Sequence, residues 1–118
     1  MRKYVIAVLS LVMIGMLAQV ASASSNGQSV STNNFATTES GAKCVVDATA
    51  ALATAGFRHV TTGKTHKDGS VVLFADHNDY QATVFCMNKY MAMEVTGPHD
   101  APATSLRDAY TKAWDANQ

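Results

Sequence analysis

Three histidine–acid pairs are the groups in this chain best suited to chemistry. His66-Lys67-Asp68 and His77-Asn78-Asp79 repeat a His-x-Asp spacing, and His99-Asp100 adds a third pair. Imidazole nitrogen and carboxylate oxygen are ligands for zinc and other divalent metals. The chain between the pairs decides which of them could meet. The first two flank a strongly β-forming run at residues 70–75. At about 3.3 Å per residue, such a strand holds its two ends roughly 20 Å apart. In an up-and-down meander the chain after the fourth strand returns to the His77 end. His77, Asp79, His99 and Asp100 are therefore the candidate metal ligands, and His66 stands apart. The competing reading is local, because Asp and Asn favour turns through bonds to their own backbone.

Other chemistry has less to build on. The two cysteines, Cys44 and Cys86, could attack a substrate only as free thiolates. No Gly-x-Ser-x-Gly elbow, phosphate loop, CxxC zinc pair or dinucleotide fingerprint occurs. Glu94 is the only glutamate in the expected sheet. No cofactor is implied and no enzyme class is named by these residues, so the expectation leans away from catalysis.

The elements that would position these groups can be read from apolar spacing. Residues 42–55 are rich in Ala, and Cys44, Ala48, Leu52 and Ala55 fall on one helical face, with Gly56 as a stop. Four strands follow, at residues 57–62, 70–75, 80–87 and 90–96, separated by the polar turns that carry the histidines and by Asn88-Lys89. In the third of them Tyr80, Ala82, Val84 and Cys86 share a face. A last helix is expected after Pro102, capped by Thr104 or Ser105, with Leu106, Tyr110 and Trp114 forming its core stripe. A substrate-stacking role is the other reading of Trp114. The sum is an α+β two-layer sandwich, an antiparallel four-stranded meander covered by an N-terminal and a C-terminal helix.

The first twenty-three residues set the compartment. Arg2 and Lys3 precede an apolar run at residues 4–20, and Ala21-Ser22-Ala23 supplies small residues at the −3 and −1 positions. This is the layout of a secretory signal peptide over residues 1–23; a retained anchor is the alternative, although Ser10, Gly15 and Gln19 interrupt the run. Residues 24–40, dominated by Ser, Thr, Asn and Gly, read as a flexible leader, with a docking peptide centred on Phe35 as the other reading. Residues 41–118 form the domain. Without Arg2 and Lys3 the chain has seven basic and nine acidic residues, a net charge of −2. So weak a charge offers no electrostatic reason to bind nucleic acid or an anionic membrane. In a periplasmic or extracellular space Cys44 and Cys86 are expected to pair, joining the first helix to the third strand; two buried thiols are the alternative. If Cys86 faces inward, Phe85 and Met87 face outward, together with Val72 and either Phe74 or Phe57, on a surface the helices cannot also cover; the alternative is a sheet curled enough to bury both faces.

From Cys44 to Trp114, about three-fifths of the chain, the layout resembles small exported bacterial proteins of unknown function. The residues that carry the resemblance are Ala55-Gly56-Phe57 closing a cysteine-headed helix, Val84-Phe85-Cys86 ending a strand, and Val95-Thr96-Gly97 ending the next. It implies a fold and a compartment, and no catalytic residue. The functional expectation is an exported, non-catalytic binding module acting on an envelope protein or a small ligand, in one version as an inhibitor or immunity-type protein. The alternative is a metal-binding domain using His77, Asp79, His99 and Asp100.

Overall fold

A computed structural model describes residues 29–118. The expected export signal, residues 1–23, lies outside the described residues. Seven elements follow in order: β1 (Ser29–Ala36), α1 (Gly41–Thr54), β2 (Arg58–Thr62), β3 (Val71–His77), β4 (Tyr80–Met87), β5 (Tyr90–Gly97) and α2 (Asp100–Ala116). The fold is α+β, one antiparallel sheet with two helices, and the sheet order is β1-β5-β4-β3-β2.

The sheet has five strands where the sequence suggested four. The additional one, β1, falls in the segment expected to be a flexible leader, and it pairs with β5 without a break from Ser29↔Gly97 to Ala36↔Tyr90. Its own residues are poor strand formers, Val30, Thr32 and Phe35 excepted. The template and the neighbouring helix supply what composition lacks. Phe35 packs against the core, Ser31 Oγ lies 3.4 Å from Thr104 Oγ1, and Asn33 Nδ2 donates to Thr111 Oγ1 at 3.1 Å. Phe35 thus serves the fold rather than a free docking peptide.

Helix α1 begins at Ser40, whose hydroxyl accepts from the Lys43 N–H at 3.2 Å. It ends in a Schellman arrangement: the N–H of Gly56 (φ 93°) reaches the Ala53 carbonyl at 3.1 Å, and the N–H of Phe57 reaches Leu52 at 2.9 Å. The accompanying apolar contact is also present, since Leu52 and Phe57 are both buried. This places Phe57 in the core, not on the outer face. Helix α2 starts at Asp100, earlier than expected, with His99 as its N-cap and no side-chain capping bond. Pro102 sits inside the first turn. That is allowed because the first N–H groups of a helix have no intrahelical partner to lose.

Both helices lie on one face of the sheet. The core there comprises Cys44, Ala48, Ala51 and Leu52 from α1; Tyr110, Ala113 and Trp114 from α2; and the inward residues of three central strands. Those inward residues are matched by register: Leu73 opposes Val84 and Val84 opposes Met93, while Ala75 opposes Ala82 and Ala82 opposes Val95. Trp114 is 2% exposed and stacks on Tyr110, with ring centroids 6.4 Å apart, so it is a core residue and cannot stack a substrate. Burial pushes the Tyr110 hydroxyl well above its usual range, aided by the charges of Glu39 and Asp47. Lys43 joins those two carboxylates, 3.0 Å from each.

Cys44 and Cys86 are bonded to each other, and both are fully buried. The bond spans a sequence separation of 42 residues. By loop entropy alone, closing a loop of this length contributes about 4 kcal/mol. Reductant is expected to lower the melting midpoint by on the order of 20 °C. A Cys44→Ala/Cys86→Ala double variant should melt at the reduced value and ignore reductant. An oxidised and a reduced sample melting together would contradict the bond.

Candidate functional site

The histidine–acid pairs are placed by local backbone needs. His77 ends β3, and its Nδ1–H donates to the Gly56 carbonyl at 2.9 Å while its ring meets Phe57 edge-on at 6.1 Å. It therefore fastens the α1–β2 corner to β3. Asp79 is exposed in the tight β3–β4 turn, where Asn78 takes the positive φ of 53°. His99 is the N-cap of α2 and Asp100 is its first residue, a favourable place for a negative charge. Tyr80 packs on Gly97, so the two turns do share one end of the sheet. Even so, among the described residues no three His, Cys, Asp or Glu side chains are close enough to hold a metal ion.

His66 and Asp68 shape the β2–β3 loop. The Ser70 N–H and hydroxyl both donate to Asp68 Oδ1, at 2.9 and 2.6 Å. His66 N–H reaches the Ser70 carbonyl, and Gly69 N–H reaches that of His66, each at 2.9 Å. These bonds from Ser70, the hydroxyl first, hold the Asp68 carboxyl below its ordinary 3.8.

One pairing has no signature in local spacing. His59 Nδ1 lies 2.8 Å from Asp76 Oδ1 across the β2–β3 ladder. The ladder shifts register between Arg58 and Thr61, and His59 takes a left-handed φ of 52° there. The bulge is what turns His59 toward Asp76. Both side chains are exposed, 79% and 48%, so the pair contributes at most about 1 kcal/mol when charged. Among the described residues no hydroxyl or thiol is bonded to His59, so this is a His–Asp dyad without a nucleophile.

The sheet face away from the helices carries exposed aromatic residues. Cross-strand pairs set its layout: Val72 opposes Phe85, Phe85 opposes Ala92, Met87 opposes Tyr90 and Phe74 opposes Thr83. Phe74, Phe85 and Tyr90 are 40%, 37% and 38% exposed, and no described element lies over them. Asp76, Gln81, Thr83, Glu94 and Thr96, with Thr32 and Asn34 of β1, are polar positions on this face. A concavity of about 550 Å³ opens where α1 begins, between Gly41, Val45, Thr62, Val71 and the β2–β3 loop. Its residues come from α1 and its cap, β2, the β2–β3 loop, β3 and the β4–β5 turn, and only the fold brings them together. No helix among the described residues is long and apolar enough to cross a membrane.

Comparison with protein-family models, with curated proteins and with solved structures finds no match for this chain.

Two outcomes follow from this geometry. Zinc should leave the melting midpoint unchanged; a rise that His77→Ala abolishes would favour the metal reading. Because the folded pKa of Asp68 is depressed, its stabilising contribution is present above about pH 4 and is lost as pH falls through the folded value. Urea midpoints measured from pH 6 to pH 2 should therefore fall less for Asp68→Asn than for the wild type, and parallel curves would contradict the assignment.

Proposed function

We propose that this chain is an exported, non-catalytic binding module whose outer sheet face docks a folded protein of the cell envelope. One observation carries the reading: the aromatic row built on Phe74, Phe85 and Tyr90 is left uncovered by both helices. Interface centres are rich in aromatic residues and Met, with polar residues around them. Met87 and Val72 extend the apolar centre here, and Glu94, Asp76 and Gln81 supply the polar surroundings. A folded partner suits a broad face better than a small ligand does, because a ligand pocket is concave and encloses its occupant. An inhibitor or immunity-type role toward an envelope enzyme is the concrete form of this proposal. The export signal read in residues 1–23 and the buried Cys44–Cys86 bond support the compartment.

The test uses immobilised wild type against a Phe74→Lys/Phe85→Lys variant, each exposed to envelope extract of the native host. Exposed substitutions of this kind change stability little, so the two should melt within a few degrees. The expected result is an envelope protein held by the wild type and absent from the variant. Binding of that protein, once purified, should weaken by at least about 30-fold, as for a hot-spot loss near 2 kcal/mol. Equal retention by both surfaces, or none by either, would sink the proposal. Sedimentation of the wild type alone decides whether the partner is instead a second copy.

A further inference from the structure

The concavity at the start of α1 lies apart from the face assigned to a protein partner, and its construction is that of a ligand pocket. Three features fix its walls before anything enters. Gly41 packs so tightly on the β2–β3 loop that a Cβ there would lie 2.7 Å from the Gly69 carbonyl oxygen. One turn further on, Cys44 is bonded to Cys86, which ties this end of the helix to the sheet. The loop itself is closed by the His66–Ser70 and Gly69–His66 bonds, and the Gly63 N–H reaches the Val72 carbonyl at 2.7 Å. A cavity whose walls are already held loses little on binding. Its volume of about 550 Å³ falls within the ordinary range for small-molecule sites.

The chemistry of the lining narrows the occupant. Most of the wall is apolar, with Ala42, Val45 and Val71 as its hydrocarbon surface. Hydroxyls of Ser40, Thr62 and Thr65 and the amide of Asn88 give it scattered polarity. Among the described residues Asp68 is the only lining residue with a formal charge, and it is exposed. Ser70 holds its carboxylate in place through Oδ1, and Oδ2 takes neither of those bonds. The nearest lysines in the sequence, Lys43, Lys64, Lys67 and Lys89, are not part of the lining. An organic anion entering here would meet a fixed negative charge with no lining cation to offset it. A cation with an apolar body would satisfy both the wall and the carboxylate.

We infer that this cavity binds a small organic cation, an ammonium group carried on an aromatic or branched apolar body, with the ammonium at Asp68 and the body against Val45 and Val71. The pocket and the outer face lie on opposite sides of β3: Val71 faces the pocket, and Val72, the next residue, opposes Phe85 outside.

The experiment titrates the oxidised protein with phenethylammonium, using phenethyl alcohol as the neutral isostere and phenylacetate as the anionic one, followed by amide shifts in proton–nitrogen NMR spectra. Saturable shifts confined to Ala42, Thr65, Gly69, Asn88 and their neighbours are expected with phenethylammonium, and phenylacetate should bind at least about tenfold more weakly. Asp68→Asn, which can still accept the Ser70 bonds, should lose the preference for the cation while keeping the alcohol. Ala42→Phe, which fills the cavity, should abolish all three. Should that variant fail to fold, the location of the wild-type shifts and the Asp68→Asn comparison decide the matter without it. Phe74→Lys/Phe85→Lys should bind the cation as the wild type does, which separates this site from the protein-docking face. Absent shifts, shifts centred on the outer face, equal binding of cation and anion, or an unaltered preference in Asp68→Asn would overturn the inference.

Discussion

A single sulfur bridge decides which side of this sheet is the inside. Cys86 sits near the end of β4 and must point at α1 to reach Cys44. Side chains alternate along a strand, so Val84 and Ala82 point the same way and Phe85 and Met87 the other. Register carries that choice to the neighbouring strands: Val71 and Met91 oppose Cys86, and Val72 and Ala92 oppose Phe85. A slip of one residue in any ladder would exchange the two sets, and the bridge opposes such a slip in β4 directly. The covalent bond and the apolar pattern therefore demand the same register, and a small domain gains uniqueness from that agreement.

The material on each face follows from the choice. Inside, Ala48 and Ala51 on α1 and Ala75 and Ala82 on the sheet belong to one buried core, and their small side chains add little bulk between helix and sheet. The larger side chains, Tyr110, Trp114, Met91 and Met93, fill the space under α2 toward the β5 side. Two helices are enough to cover one face of five strands and cannot also wrap the other. Aromatic residues on that other face gain cross-strand contacts, Val72 with Phe85 and Met87 with Tyr90, yet each of the three aromatic rings keeps more than a third of its surface in water.

Much of the arrangement was legible because it is encoded locally. The α1 stripe of Cys44, Ala48 and Leu52, its stop at Gly56, the alternation in β4 and the turns at Asn78 and Asn88 are short-range signals with short-range causes. β1 was illegible for the opposite reason. Its Ser, Thr and Asn residues have little to bury, and the strand exists because β5 offers a ladder and α2 offers hydroxyl partners at Thr104 and Thr111. The start of α2 was missed because Pro102 reads as a breaker unless it is known to sit in a first turn. His77 makes a contact that local spacing does not show: its bond to Gly56, 21 residues away, is tertiary. The His59–Asp76 pair and the cavity at α1 share that character. Each is assembled by register shift or by convergence of elements distant in sequence, and neither leaves a spacing to find.

The edges of the sheet are built against strand addition. An exposed edge offers unpaired backbone groups to any passing chain. At one edge β2 is five residues long, shifted in register, and carries Arg58 and the bent His59. These are the devices that discourage strand addition. At the other edge β1 is longer and unbulged, with no charge of its own, but Arg107 from α2 reaches across to the Thr32 carbonyl at 3.4 Å and brings a guanidinium to mid-strand. A partner seeking backbone pairing thus meets a bulge at one side and a cation at the other. The aromatic face has no comparable obstacle, and α1 and α2 both lie behind it, so a partner can settle there without displacing any part of the fold.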